Sequence, residues 1–228
     1  MVQTIVMQFD QIASRYDLIN RILSGGIDLY WRRKVGSFLP KHEKIKLLDC
    51  ATGTGDQLLT LLRNRAIHQA VGIDIAKEML VMGEKKLKPY SHRVELREAS
   101  ATEIPYLNNT FDVVTISFGI RNVDNVKGCL NEIYRVLNAR GRALILEFSI
   151  PQNLFIQKAY LLYLNRFLPK IGKLISAHKE AYSYLSRTIQ SFPHGQQFCQ
   201  RMEEAGFRNV KAHPLTFGIV TLYQGDKE

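Results

Sequence analysis

The residues best suited to chemistry lie together in Asp49-Cys50-Ala51-Thr52-Gly53-Thr54-Gly55-Asp56. Glycines let a backbone approach a ligand where a Cβ would clash. A G-x-G pair alone is a weak signal, and two features sharpen it. Leu58 stands where the dinucleotide fingerprint has its third glycine. Carboxylates at Asp49 and Asp56 flank the loop, and these would repel a pyrophosphate but attract a sulfonium and an amino group. Asp74 closes the next apolar run, Ala70-Val71-Gly72-Ile73. A carboxylate there can accept two hydroxyls side by side, as a ribose diol offers. It can equally cap the helix that follows, and both roles remain open. Ser100 and the backbone N–H of Ala101 can bond the edge of an adenine, and Ser117-Phe118-Gly119 can floor the amino-acid end of the ligand.

These residues need a scaffold that gathers them. Residues 1 to about 40 read as N-terminal helices, broken at Gly25-Gly26. Strands are expected at Ile45–Ala51, Ala70–Ile73, Val94–Leu96, Phe111–Ser117 and Ala143–Phe148. Helices are expected at Gln57–Arg65, Ala76–Leu87 and Val126–Leu137. Nearly continuous apolar strands alternating with helices predict a parallel sheet buried on both faces, with ligands beyond the carboxyl ends of its strands. A helix over Pro193–Ala205 then leads into strands Asn209–Leu215 and Gly218–Gln224, joined closely at Thr216-Phe217. The pattern is similar to that of Rossmann-like class I methyltransferases: α/β, with a mostly parallel seven-stranded sheet, a C-terminal antiparallel hairpin and a helical insert. One domain over 1–228 is expected, with residues 151–191 as a lid.

Composition narrows the classes. The chain has 228 residues, of which 46% are hydrophobic, enough for a sizeable core. It holds no apolar run of the ~18 residues that a membrane span needs. The start lacks a basic head followed by an apolar stretch, so a cytoplasmic protein is expected. Cys50, Cys129 and Cys199 are odd in number and far apart, as suits reduced thiols. The histidines lack metal-ligand spacing, so no metal is expected. The net charge of +10 suits a polyanion or an anionic membrane, or simply a basic solvated surface.

Longer motifs are more selective. They include Trp31-Arg32-Arg33, Ala51-Thr52-Gly53-Thr54-Gly55-Asp56, Asp74-Ile75, Asn109-Thr110-Phe111-Asp112 and Ser117-Phe118-Gly119-Ile120-Arg121-Asn122-Val123. Leu146-Glu147-Phe148-Ser149 and Tyr182-Ser183-Tyr184-Leu185 follow. On these motifs, over almost its whole length, the chain resembles the quinone-biosynthesis C-methyltransferases that act on demethylmenaquinol or on polyprenyl-benzoquinols. The resemblance implies S-adenosylmethionine as methyl donor, a polyprenyl quinol as acceptor, and cofactor contacts at Thr54, Asp74, Ser100, Ala101 and Ser117. Asp49 and Gly53 join that set through the loop. Departures are Thr52 for a usual glycine, Ser100 for a usual asparagine, Asn138-Ala139-Arg140-Gly141 for a K-P-G-G turn, and Leu162 where an aspartate is common.

A ring carbon attacks a sulfonium methyl only when an ortho or para oxygen donates electrons as a phenolate. Arg121 can stabilise that developing charge and Asn122 can orient the hydroxyl, if Arg121 is not spent on a surface carboxylate. Tyr160, Tyr163, His178 and Tyr182 are further candidates. The apolar, basic insert suits a lid over a prenyl tail, a membrane-surface helix, or both. Peripheral contact with an anionic membrane at its inner face is expected. The [ND]-P-P-[FY] run of amino-methylating nucleic-acid enzymes is replaced by Ser117-Phe118-Gly119-Ile120, so no nucleic-acid substrate is expected.

Overall fold

The computed structural model describes residues 21, 24–41, 44–168, 170 and 179–228, with side chains from 184 onward in the last segment. Among them, seven strands form one sheet in the order β3-β2-β1-β4-β5-β7-β6. Helix α1 (Asp28–Gly36) leads to β1 (Ile45–Cys50), α2 (Asp56–Leu61), β2 (Ile67–Asp74), α3 (Lys77–Leu87) and β3 (Val94–Glu98). Then come β4 (Phe111–Ser117), α4 (Val126–Val136) and β5 (Leu137–Phe148). The insert contributes α5 (Leu154–Leu162), a π-helical turn Tyr163–Phe167, and α6 (Lys179–Ser191). Helix α7 (Gln196–Glu204) and the strands β6 (Arg208–Leu215) and β7 (Val220–Asp226) close the chain.

Strands β1 to β5 pair in parallel, and β7 runs antiparallel between β5 and β6. Successive side chains of a strand face opposite sides. Leu47 and Val113 therefore join one core with Trp31, Leu58 and Leu61 under α1 and α2, while their neighbours Leu48 and Val114 join another under α4 and α7. Both faces are covered, as apolar runs require of a parallel sheet. Order reverses between β1 and β4, so the loops leaving those strands diverge and open a crevice. The insert has a small cluster of its own, Tyr160, Leu164, Leu168 and Ile189.

Several boundaries differ from expectation. Strand β2 starts at Ile67 rather than Ala70, and α2 stops at Leu61 rather than Arg65. The Arg93 guanidinium fastens this junction by donating to the Leu62 and Ile67 carbonyls. Strand β5 starts at Leu137 rather than Ala143, so the expected turn 138–141 lies within it. Arg140 takes a left-handed φ of 65° there, and its N–H donates to the Lys227 carbonyl. The Gly25-Gly26 break is a turn with both φ values positive. The remaining N-terminal helical expectation, over 1–20, 22 and 23, lies outside the described residues. The three cysteines are buried and unbridged, and burial pushes the Cys129 thiol up to about 12.

Candidate active site

The glycine loop leaves β1 through left-handed backbone at Ala51, Gly53 and Gly55. Asp49, at its base, is buried. It accepts from Thr52 Oγ1 at 2.7 Å and Thr115 Oγ1 at 2.6 Å, tying the loop to β4. Burial pushes its carboxyl up to about 6, against those two bonds and the charge of Arg32. Asp56 pairs with Lys86 at 2.7 Å and Arg21 at 3.4 Å. The acidic flank thus does not present two bare carboxylates to a ligand: one is sunk in the sheet and the other is matched by cations. Thr54, also buried, accepts from the same Lys86 Nζ at 2.9 Å. Asp49 and Thr54 stand behind the crevice wall rather than on it.

The wall itself encloses a cavity of about 390 Å³ at the ends of β1, β2 and β4. Gly53, Asp74, Ser100, Ala101 and Ser117 all line it. The Asp74 carboxylate accepts from the N–H of Gly53 at 2.8 Å and of Ala76 at 2.9 Å. The second bond is a turn leading into α3, whose cap residue is Ala76. Ser100 Oγ lies 2.8 Å from Thr102 Oγ1 and accepts from the Thr102 N–H. Ser117 Oγ donates to Gln57 Oε1, whose amide in turn donates to the Arg32 carbonyl. Ile75, Met79 and Val123 give the cavity an apolar side. Beyond Gly53 a Cβ would meet nothing within 4 Å, so the loop borders open space. A cavity of this size, with one carboxylate, exposed backbone and an apolar slot, fits a nucleoside-type ligand.

A second cavity of about 330 Å³ lies between α1, the insert and the turn joining β6 to β7. Its lining is largely aromatic and aliphatic, including Trp31, Phe148, Tyr160 and Tyr163. Phe118 lines both cavities. It holds a left-handed φ of 60°, uncommon for a bulky side chain, and its ring is 4.7 Å from that of Phe148. Its N–H donates to the Leu146 carbonyl, and its own carbonyl accepts from Arg121 Nη1 at 2.6 Å.

Arg121 lines this second cavity and lies over the Phe148 ring. Its Nη1 meets Glu147 Oε1 at 2.7 Å, and Glu147 is fully buried. The partner is therefore a core carboxylate, not a surface one. Asn122 faces the first cavity instead and accepts from the Tyr184 hydroxyl at 3.3 Å. The expected convergence of Arg121 and Asn122 on one ring oxygen is not what the fold provides. They sit in a 3₁₀ turn, Ile120–Asn122, where consecutive side chains point about 120° apart. Tyr160 lines the cavity, and burial holds its hydroxyl well above the usual range, so it stays a donor. His178 and the Tyr182 side chain lie outside the described residues. Sequence reasoning missed Glu147 as Arg121's partner, although a lone acid in the apolar run Ala143–Phe148 was a legible signal. Among the described residues, no group of three His, Cys, Asp or Glu side chains converges as a metal site would, and no helix is long and apolar enough to cross a membrane.

A sheet of this order, with a loop, an acid and a serine around a cavity at its switch point, has the fold of the class I methyltransferases. Solved structures agree. A Thermotoga maritima protein described as an S-adenosylmethionine-dependent methyltransferase, possibly acting on histamine, superposes with a TM-score of 0.68. It is 18% identical, over 96% of this chain and 98% of that one. The [4+2]-cyclase SpnF superposes at 0.64 with 15% identity, covering 100% of this chain and 97% of that one, so the fold alone does not fix the reaction. Sequence does more: the chain belongs to the ubiE/COQ5 methyltransferase family, whose profile matches residues 2–227. The ubiquinone/menaquinone biosynthesis C-methyltransferase UbiE of Geotalea uraniireducens is 43% identical over 96% of this chain and 94% of its own. The demethylmenaquinone methyltransferase of Bacteroides fragilis is 36% identical over 99% of this chain and 93% of its own.

Proposed function

We propose that this enzyme moves a methyl group from S-adenosylmethionine to a ring carbon of a polyprenyl quinol, converting demethylmenaquinol to menaquinol. The observation that carries the reading is Phe118, a single residue shared by a polar, nucleoside-sized cavity and an apolar, aromatic one. Methyl transfer needs donor and acceptor in direct contact and in line, with water excluded, and two cavities that meet at one side chain can seat them side by side. The names of the relatives from Geotalea and Bacteroides support the quinol as acceptor.

The donor, when bound, supplies an electrophilic methyl on a sulfonium. Asp74 then accepts the ribose diol, since a carboxylate has about four acceptor sites and can serve loop amides and hydroxyls together. Ser100 and the Ala101 backbone border the adenine, and Ser117 and Gly53 the amino-acid end. Asp49 and Thr54 act from behind, holding the loop to β4 and α3. On the other side of Phe118, Arg121 stabilises the phenolate formed when the ring hydroxyl ionises, whose charge the adjacent carbon then uses in its attack on the methyl. Glu147 fixes the guanidinium, and the protonated Tyr160 hydroxyl offers a second donor. With the donor bound, the ring carbon would form the C–C bond as the S–C bond breaks to leave a neutral thioether, and the ring-carbon proton would pass to solvent as aromaticity returns. The lipid tail of such a substrate brings a cytoplasmic enzyme to the inner face of the membrane.

An oxidised quinone is electron-poor and has no hydroxyl to ionise, so the substrate must arrive reduced. Labelled S-adenosylmethionine with a demethylnaphthoquinone should give methylated product with dithionite and almost none without. Equal rates on the oxidised ring would refute a carbon nucleophile. Label on a benzoquinol but not on the naphthoquinol would move the reading to the ubiquinone pathway, which the Geotalea relative's name also includes.

A further inference from the structure

Among the described residues, ten large apolar side chains are exposed, and seven of them belong to the three elements that wall the aromatic cavity. Ile27 and Tyr30 lie at α1, and Phe217 in the turn between β6 and β7. The other four are in the insert, where Phe155 at 85% exposed is the extreme. Singly scattered surface apolar residues need no explanation, but a cluster around one cavity does.

The cluster surrounds the cavity's mouth. Ile27 and Ala159 both line the cavity and are both exposed, so it opens between the start of α1 and α5. On α5, Phe155, Lys158, Ala159 and Leu162 are exposed at helical i, i+3, i+4 and i+7 spacing, while Ile156, Tyr160 and Tyr163 turn inward to the cavity. Trp31 Nε1 donates to Thr216 Oγ1 at 2.7 Å, which seats the Phe217 turn beside α1. Gly218 lies against Pro151, which seats it beside the insert. Phe217 holds a left-handed φ of 58° yet is 78% exposed, so its ring gains little packing in return for an uncommon backbone conformation.

Charge selects the partner. From Phe148 to Lys179 the sequence has no Asp or Glu, while Lys158, Arg166, Lys170, Lys173 and Lys179 are basic. An apolar stripe with interspersed long cations is what an anionic bilayer surface accommodates: rings enter the acyl boundary and the basic heads meet phosphates. A protein partner would be expected to require acidic residues opposite the same cations. We propose that the start of α1, the outer stripe of α5 and the Phe217 turn form a docking surface for an anionic lipid bilayer, setting the mouth of the aromatic cavity directly on the membrane. The ring of a lipid substrate enters by this mouth while its tail stays in the acyl layer. This last point rests on the quinol reading above; the docking surface itself does not.

The test is co-sedimentation of the full chain with vesicles of phosphatidylglycerol and phosphatidylcholine, and with phosphatidylcholine alone, at low and high salt. Wild type should bind the anionic vesicles and lose binding as salt rises. Phe155→Ser with Phe217→Ser should weaken binding by roughly tenfold or more, because affinity scales with buried apolar area. Lys158→Glu with Arg166→Glu should weaken it by about fivefold or more per residue. Leu107→Ser, which removes an apolar side chain 84% exposed elsewhere, should bind as wild type. Circular dichroism checks that each variant folds. Wild type that ignores anionic vesicles, docking variants that bind unchanged, or a Leu107→Ser loss of equal size would each overturn the proposal. So would a stable dimer that both double variants dissociate, since the face would then belong to a second copy. Turnover keeps the two readings apart: docking variants should retain full rate on a short-tailed, soluble quinol and lose it on a long-tailed quinol in vesicles. Wild type inactive on both quinols but bound to vesicles would sink the quinol reading and leave the docking surface standing.

Discussion

Asp74 and Arg121 line different cavities, and the proposed roles give each its own signature. Asp74 lines the polar cavity and holds the loop through Gly53. Asp74→Ala should lose about 1–3 kcal/mol of S-adenosylmethionine affinity by calorimetry, through missing charge-assisted bonds. Arg121 lines the other cavity, so its loss should leave that affinity nearly intact and lower kcat by roughly 10²–10³-fold. Arg121→Ala also strands the Glu147 carboxylate in the core, at a stability cost of about 3–5 kcal/mol. Arg121→Lys, which keeps a charge near Glu147, separates the two effects: a folded variant with wild-type turnover would return Arg121 to a structural role. At this scale the sequence was a good guide to which residues gather. Gly53, Asp74, Ser100, Ala101 and Ser117 were each legible from a strand end or a loop. It was a poor guide to charge, because Asp49 and Asp56 advertise acidity without showing that Thr115, Lys86 and Arg21 take it up.

Between elements, the decisive contact is where β1 and β4 part. A Cβ on Gly119 would sit 2.5 Å from the Ala51 Cβ, which is fixed to its own backbone and cannot swing away. Gly119→Ala should therefore push the two strand ends apart, costing about 1–3 kcal/mol of stability. S-adenosylmethionine affinity should fall with it, since Ala51 and Gly119 both line the polar cavity. A variant with unchanged melting and unchanged affinity would show that the crevice can relax there. The strands themselves were readable from apolar runs, and β4 agrees with its expected limits. The start of strand β5 was not, because Asn138 to Arg142 look like a turn. They are held in the sheet by the C-terminal segment, whose Lys227 N–H donates to the Gly141 carbonyl. A partner 86 residues away leaves no local trace in a pattern of period two.

For the molecule as a whole, one buried acid couples stability to pH. The Asp49 carboxyl is raised from 3.8 to about 6, mainly by burial. Between those values the folded state keeps a proton that the unfolded chain has released. Stability should thus fall as pH rises from about 4 to 6, and stay at the lower level above that, by roughly 3 kcal/mol in total. Asp49→Asn should flatten this part of the curve, and denaturant unfolding of both proteins across the window measures the difference. Parallel slopes would mean that Thr115, Thr52 and Arg32 already hold Asp49 ionised. Periodicity and strand-end chemistry, both properties of consecutive residues, determined the alternating fold, the crevice and most of its polar wall from sequence alone. Tertiary structure alone decided that Arg121 and Asn122 face different cavities, that Glu147 is the counter-charge, and that Phe118 lines both cavities. Those facts depend on which segments distant in the chain become neighbours, and the 3₁₀ turn after β4 acquires its two faces only once α1 and the insert have closed over one of them.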